Sequence, residues 1–158
     1  MFAILSLSLL TYGQAPDQQP EFSKTLKQLE GTWRLVGGEE AGRSTTAEEA
    51  KKEQEVFTFK DDSLVIRHKG RVRGEWVVRV KPGKEKGEID FKHKGGRYDS
   101  KTCHAIYLLE GDTLKICTAS KMRADMVDER PTVFSTKKKE DGSEKVGTLL
   151  FILKRDKK

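Results

Sequence analysis

Past Lys52 the chain falls into short runs in which apolar and polar residues alternate, most of them closed by glycine, proline or a pair of acids. A period of two puts successive side chains on opposite faces of a strand, so these runs predict half-buried β-structure. The candidate strands are Trp33 to Val36, Glu55–Lys60, Leu64–Lys69, Val72–Lys81, Glu88–His93, Thr102–Leu109, Thr113–Thr118, Thr132–Thr136 and Val146–Arg155. Turn-forming stretches separate them: Gly37-Gly38, Asp61-Asp62-Ser63, Gly70, Pro82-Gly83, Gly95-Gly96, Glu110-Gly111-Asp112 and Asp141-Gly142-Ser143.

The phase of the alternation assigns faces. Phe57, Phe59, Leu64, Ile66, Trp76, Val78, Val80, Ile89, Phe91, Ile106, Leu108, Leu114, Ile116, Phe134, Leu149, Phe151 and Leu153 share one, and Lys and Arg mostly take the other. One apolar and one wet face predict an all-β fold, an antiparallel up-and-down barrel of about eight to nine strands. An odd number of strands does not close an all-antiparallel ring, so with about nine segments either one lies outside the wall or the closing pair is parallel.

Two helical pieces accompany the strands. Thr45 to Lys52 reads as a short helix after the first strand, with Thr45 or Thr46 as its cap and acids in its first turn. Lys24 to Leu29 reads as a helical turn that plugs one barrel end. Phe2 to Leu10 is apolar but too short for a mature membrane span. Gly13-Gln14-Ala15 then offers small residues at the −3 and −1 positions of a cleavage site. Residues 1–15 are therefore expected to be a signal peptide, with a hydrophobic N-terminal arm as the alternative. Export to the periplasm or the exterior follows, with 16–25 as a polar leader and 26–158 as one barrel domain. The 158 residues suffice for a core without metal or disulfide staples.

Gly31-Thr32-Trp33, opening the first strand, resembles the lipocalin signature. More closely, Leu29-Glu30-Gly31-Thr32-Trp33, Ile106-Tyr107, Gly111 to Cys117, Arg130-Pro131-Thr132-Val133-Phe134 and Leu153-Lys154-Arg155 are together similar to a lipocalin-like domain of unknown function abundant in planctomycete bacteria. The resemblance spans roughly Leu26 to Arg155 and implies a calycin-type barrel in an exported bacterial protein, with no known activity. It also implies structural roles for Gly31 and Trp33, the tryptophan closing one barrel end under an arginine of the last strand. Arg155 is placed to be that arginine, with Arg130 the runner-up.

Charge and chemistry narrow the function further. There are 31 basic residues against 25 acidic ones, interspersed, for a net charge of +6. Without a basic stripe interleaved with aromatics, nucleic acid is disfavoured as a partner. No nucleophile elbow, phosphate-cradling glycine loop or pair of inward carboxylates is found, so no enzyme activity and no cofactor is expected. The leading reading is a cup for a small apolar or amphipathic molecule, lined by Phe57, Phe59, Trp76, Phe91, Ile106 and Phe134. The other is an envelope interaction module whose interior is filled.

Meander topology gathers alternate turns at one end, which would give a basic mouth of Lys69, Arg71, Arg97 and Arg123 suited to an anionic head group. A three-residue loop Leu109-Glu110-Gly111 would set Cys103 opposite Cys117 for a disulfide; one register slip would leave two separate thiols. His68, His93 and His104 all fall in the inward phase as read here, so they are candidate metal or haem ligands beside a plain rim role.

Overall fold

In a computed structural model, which describes residues 19–96, 101–119, 129–138 and 146–156, eight of the nine expected segments become strands, and a short strand at Arg43–Thr45 that the alternation did not predict makes nine. They follow the order α1 (Gln19–Leu29), β1 (Gly31–Glu40), β2 (Arg43–Thr45), α2 (Ala47–Glu53), β3 (Glu55–Lys60), β4 (Ser63–His68), β5 (Arg71–Lys81), β6 (Gly87–His93), β7 (Thr102–Glu110), β8 (Thr113–Thr118) and β9 (Leu149–Arg155). Eight of them, β1 and β3 to β9, close an antiparallel barrel. Sequence neighbours pair throughout, and β9 returns to β1 from Trp33↔Arg155 to Glu40↔Leu149. The short β2 pairs with the end of β1 and stands outside the ring. The result is an all-β antiparallel barrel of eight strands with one extra strand and two short helices, consistent with a lipocalin-like fold.

The parity problem resolves with one segment outside the wall. Thr132–Thr136, expected as a strand, is irregular chain. It has no place in the ring because β8 pairs directly with β9 from Thr113↔Lys154 to Thr118↔Leu149. The first strand also runs further than its glycines suggest. β1 passes through Gly37-Gly38 with a bulge between Leu35 and Gly37. Here glycine serves close approach: a Cβ on Gly38 would lie 2.1 Å from the Leu150 carbonyl oxygen.

Inside, Trp33, Phe57, Phe59, Leu64, Ile66, Trp76, Val78, Ile89, Phe91, Leu114, Ile116 and Leu153 form one core, in the phase the alternation predicts. β7 has the opposite phase. Its register pairs Ile89 with Ala105 and Phe91 with Cys103, and directly opposed residues share a face. Cys103, Ala105 and Tyr107 therefore point inward, and Ile106 and Leu108 point outward. On the outer face Ile106, Cys117 and Leu150 form a second buried cluster, with Phe134 packed against it. β7 is thus apolar on both faces, where a period-two pattern has no unique phase.

The same register corrects the disulfide. The β7–β8 turn has two residues, Gly111 and Asp112, between the paired Glu110 and Thr113, so Cys117 lies opposite Ile106. Cys103 is in the inner core and Cys117 in the outer cluster, on opposite faces of the wall, and no disulfide joins them. A one-residue slip moves every side chain to the other face.

The end bearing α1 is closed. Leu26 and Leu29 of α1 are buried in the core, and the Trp33 indole Nε1–H donates to the Leu29 carbonyl at 2.8 Å. The Arg155 guanidinium stacks 4.1 Å from the Trp33 ring centroid. It also donates to the carbonyls of Glu30 and Gln28, both at 2.6 Å. Gly31 fits the same corner, with φ of 124° and Arg155 Nη1 3.2 Å from where its Cβ would be. Arg130 takes no part in this and acts elsewhere.

Candidate functional site: a cup at the open end

At the opposite end the barrel holds a cup of about 750 Å³ open to solvent. Its floor is apolar: Leu35, Phe57, Ile66, Trp76 and Phe151. Phe57 and Phe151 meet edge to face with ring centroids 5.1 Å apart, and Trp76 packs edge-on against His93 at 5.3 Å. Gly74 gives the Trp76 indole its seat, since a Cβ there would lie 2.6 Å from the ring.

The rim is charged, and a β-bulge builds it. Ile66 pairs with Gly74 but Arg67 pairs with Val72, leaving Arg73 as the extra residue. A bulge re-aims the side chains around it. Val72 is left 53% exposed, while Arg73 joins the cup lining and makes an ion pair with the buried Glu55. Glu39, Glu40 and Glu53 also line the cup. Glu39 accepts hydrogen bonds from the backbone N–H and hydroxyl of Thr136, at 3.0 and 3.2 Å. Glu53 closes α2, which starts on a capping box: Thr46 Oγ1 accepts from the Glu49 N–H, and the Glu49 carboxylate accepts from the Thr46 N–H. His68 Nδ1, shielded from water and without a hydrogen-bond partner, lies 3.5 Å from Glu53 and 3.8 Å from Glu55. The Gly95 carbonyl lies 3.0 Å from His93 Nδ1, so this nitrogen carries the proton.

Of the residues expected to line a pocket, Phe57 and Trp76 do. Phe59 and Phe91 face inward but belong to the packed core and not to the cup lining. Ile106 and Phe134 are corrections: both belong to the outer cluster, because β7 has the opposite phase and residues 132–136 never enter the wall. Lys69, on the β4–β5 turn, and Arg71, the first residue of β5, are exposed at the open end and do not line the cup. Arg97 and Arg123 lie outside the described residues. Among the described residues the lining presents four carboxylates, Glu39, Glu40, Glu53 and Glu55, and one guanidinium, Arg73.

The histidines do not converge. Glu55↔His68 and Trp76↔His93 keep two of them in the inward phase, but His104 is on the outer face. There His104 Nδ1 lies 2.8 Å from Asp90 Oδ1, which also accepts from Arg130 Nη2 at 2.8 Å. Among the described residues no group of three His, Cys, Asp or Glu is arranged to hold a metal ion. Arg130 Nη1 donates to the carbonyls of Ala105 and Ile89, at 2.5 and 3.3 Å, and so fastens residues 129–138 to the outer wall.

The sequence reading missed Arg73, Glu39, Glu40, Glu53 and Glu55 as cup residues. Only Glu55 carried a visible signal, a charged residue in phase with the inward Phe57 and Phe59. A scan against protein-family models finds no match to this chain, and no curated protein matches it in sequence.

Proposed function

We propose that this chain is a non-enzymatic, exported, lipocalin-like barrel that holds a small apolar or amphipathic molecule in the cup at its open end. The cup itself carries the proposal. At about 750 Å³ it is within the range of small-molecule sites, and it sets an aromatic floor beneath a few fixed polar groups. The closed end supplies rigidity, with α1, Trp33 and Arg155 locked together below. Export is supported by the apolar run Phe2 to Leu10 ahead of Gly13-Gln14-Ala15. No helix among the described residues is long and apolar enough to cross a membrane.

The alternative, an interaction module that binds nothing inside, is favoured by the filled core beneath the cup. Titration with the neutral dye Nile red separates the two. A binding barrel gives saturable one-to-one fluorescence enhancement, lost when Thr45→Trp places an indole in the cup mouth. Absence of saturable binding by the folded wild type, together with no small molecule retained in native mass spectrometry of protein from its own host, would leave the interaction module.

A further inference from the structure

We infer that the cup, on the ligand-binding reading above, takes a compact, ring-sized molecule lying across the barrel mouth, and not a long hydrocarbon chain running down the barrel axis. The floor decides this. Phe57, Ile66, Trp76 and Phe151 are the lowest lining residues of β3, β4, β5 and β9. The next inward residues down the same strands, Phe59, Leu64, Val78 and Leu153, are sealed in the core and take no part in the lining. Four strands thus leave the cup at one layer. With Phe57 only 1% and Trp76 only 5% exposed, that layer is shut. A chain end entering from the mouth meets a packed floor and no channel through it.

The strands above the floor are short. Glu55, one inward step above Phe57, is the first residue of β3. His68, one step above Ile66, is the last of β4, and Leu149, one step above Phe151, is the first of β9. Two residues of strand rise about 7 Å. A volume of about 750 Å³ over walls of that height is wider than it is deep. The apolar surface left open in it is also on one side: Leu35, Leu149 and Phe151, all partly exposed, belong to the paired strands β1 and β9. A flat ring laid against that wall covers all three, whereas an extended chain covers few of its own methylenes.

Calorimetric titration at neutral pH with uncharged ligands tests this: hexanol, octanol, decanol and 2-naphthol, the last two equal in carbon number and each with one hydroxyl. A chain buried along a barrel axis gains roughly four-fold in affinity per methylene. The four methylenes between hexanol and decanol would then add roughly two-hundred-fold; over a closed floor they should add less than about ten-fold. 2-Naphthol should bind at least about ten-fold more tightly than decanol, although non-specific association favours the longer apolar body of decanol. Thr45→Trp, a change in the short β2 outside the ring, fills the mouth and should abolish 2-naphthol binding. A gain of ten-fold or more from hexanol to decanol, or decanol within ten-fold of 2-naphthol, overturns the size inference. Loss of that alkanol binding in Thr45→Trp would leave the cup reading standing. Binding by none of the four, or binding that Thr45→Trp leaves intact, overturns the cup reading, and this inference with it.

Discussion

Two buried groups on adjacent strands hold their protons more tightly than free side chains do. Burial pushes the Cys117 thiol from 9.0 up to about 11. Burial also raises Tyr107, with a hydrogen bond from Thr25 working the other way. The unfolded chain gives up the thiol proton near its ordinary value and the native chain only near 11, so the native state binds more protons in that interval. The contribution of Cys117 is fully present below pH 9 and is lost as pH rises through 11. Urea unfolding followed from pH 8.5 to 11 should show Cys117→Ala losing less stability over the interval than the wild type, by about 2 kcal/mol. Equal slopes for the two proteins would place the alkaline loss elsewhere. Residue by residue, legibility was uneven. The Trp33–Arg155 stack was readable because a motif fixes both partners, whereas Arg73 was not, because a bulge leaves no mark in a period-two pattern.

At the scale of elements, residues 129–138 form a strap across the outside of the barrel. Pro131 is buried, Phe134 packs over Ile106, Cys117 and Leu150, and Thr136 is tied to Glu39 at the cup rim. Arg130 is the principal anchor, bonding two carbonyls of the wall and Asp90 at once. Those carbonyls belong to paired strands, so one planar guanidinium spans β6 and β7. Arg130→Ala should cost about 2–3 kcal/mol in denaturant unfolding, the worth of losing charge-assisted hydrogen bonds and leaving Asp90 without its cation. Arg130→Lys should recover little, since an ammonium does not reproduce the fork. A loss under 0.5 kcal/mol, roughly the level of a neutral surface substitution, would reduce the strap to a passive cover. The strap also accounts for the main misreadings at this scale. By covering the outside of β7, β8 and β9 it lets Ile106, Cys117 and Leu150 be apolar, which erased the phase of β7 and with it the cysteine register. The strands β3 to β6, with no such buried outer cluster among the described residues, kept a clean alternation and were read in the right phase.

For the whole molecule, the barrel axis separates stability from binding. At the closed end α1 buries Leu26 and Leu29, the Trp33 indole is bonded to α1, and Arg155 of the last strand covers the first. The β1–β9 seam starts at that end with Trp33↔Arg155 and runs to Glu40↔Leu149 at the cup, so closure depends on contacts between distant parts of the chain. At the open end lies the cup, β2 pairs with β1 alone, and α2 buries only Ala50. Local opening costs least where few apolar contacts are lost, so protection against hydrogen exchange should be graded along the axis. Amides of Trp33, Leu114 and Leu153, whose side chains are fully buried, should exchange only by global unfolding. Those of β2 and α2 should exchange by local opening at least about a hundred-fold faster, equivalent to roughly 2.7 kcal/mol. Mass-spectrometric exchange on peptides covering 31–36, 43–53 and 149–155 measures this directly. A ligand seated in the cup should slow exchange in 43–53 and leave 31–36 unchanged, because only the open end has protection left to gain. Uniform protection along the axis would mean that the cup is as tightly held as the plug, and that its open shape owes nothing to a softer mouth.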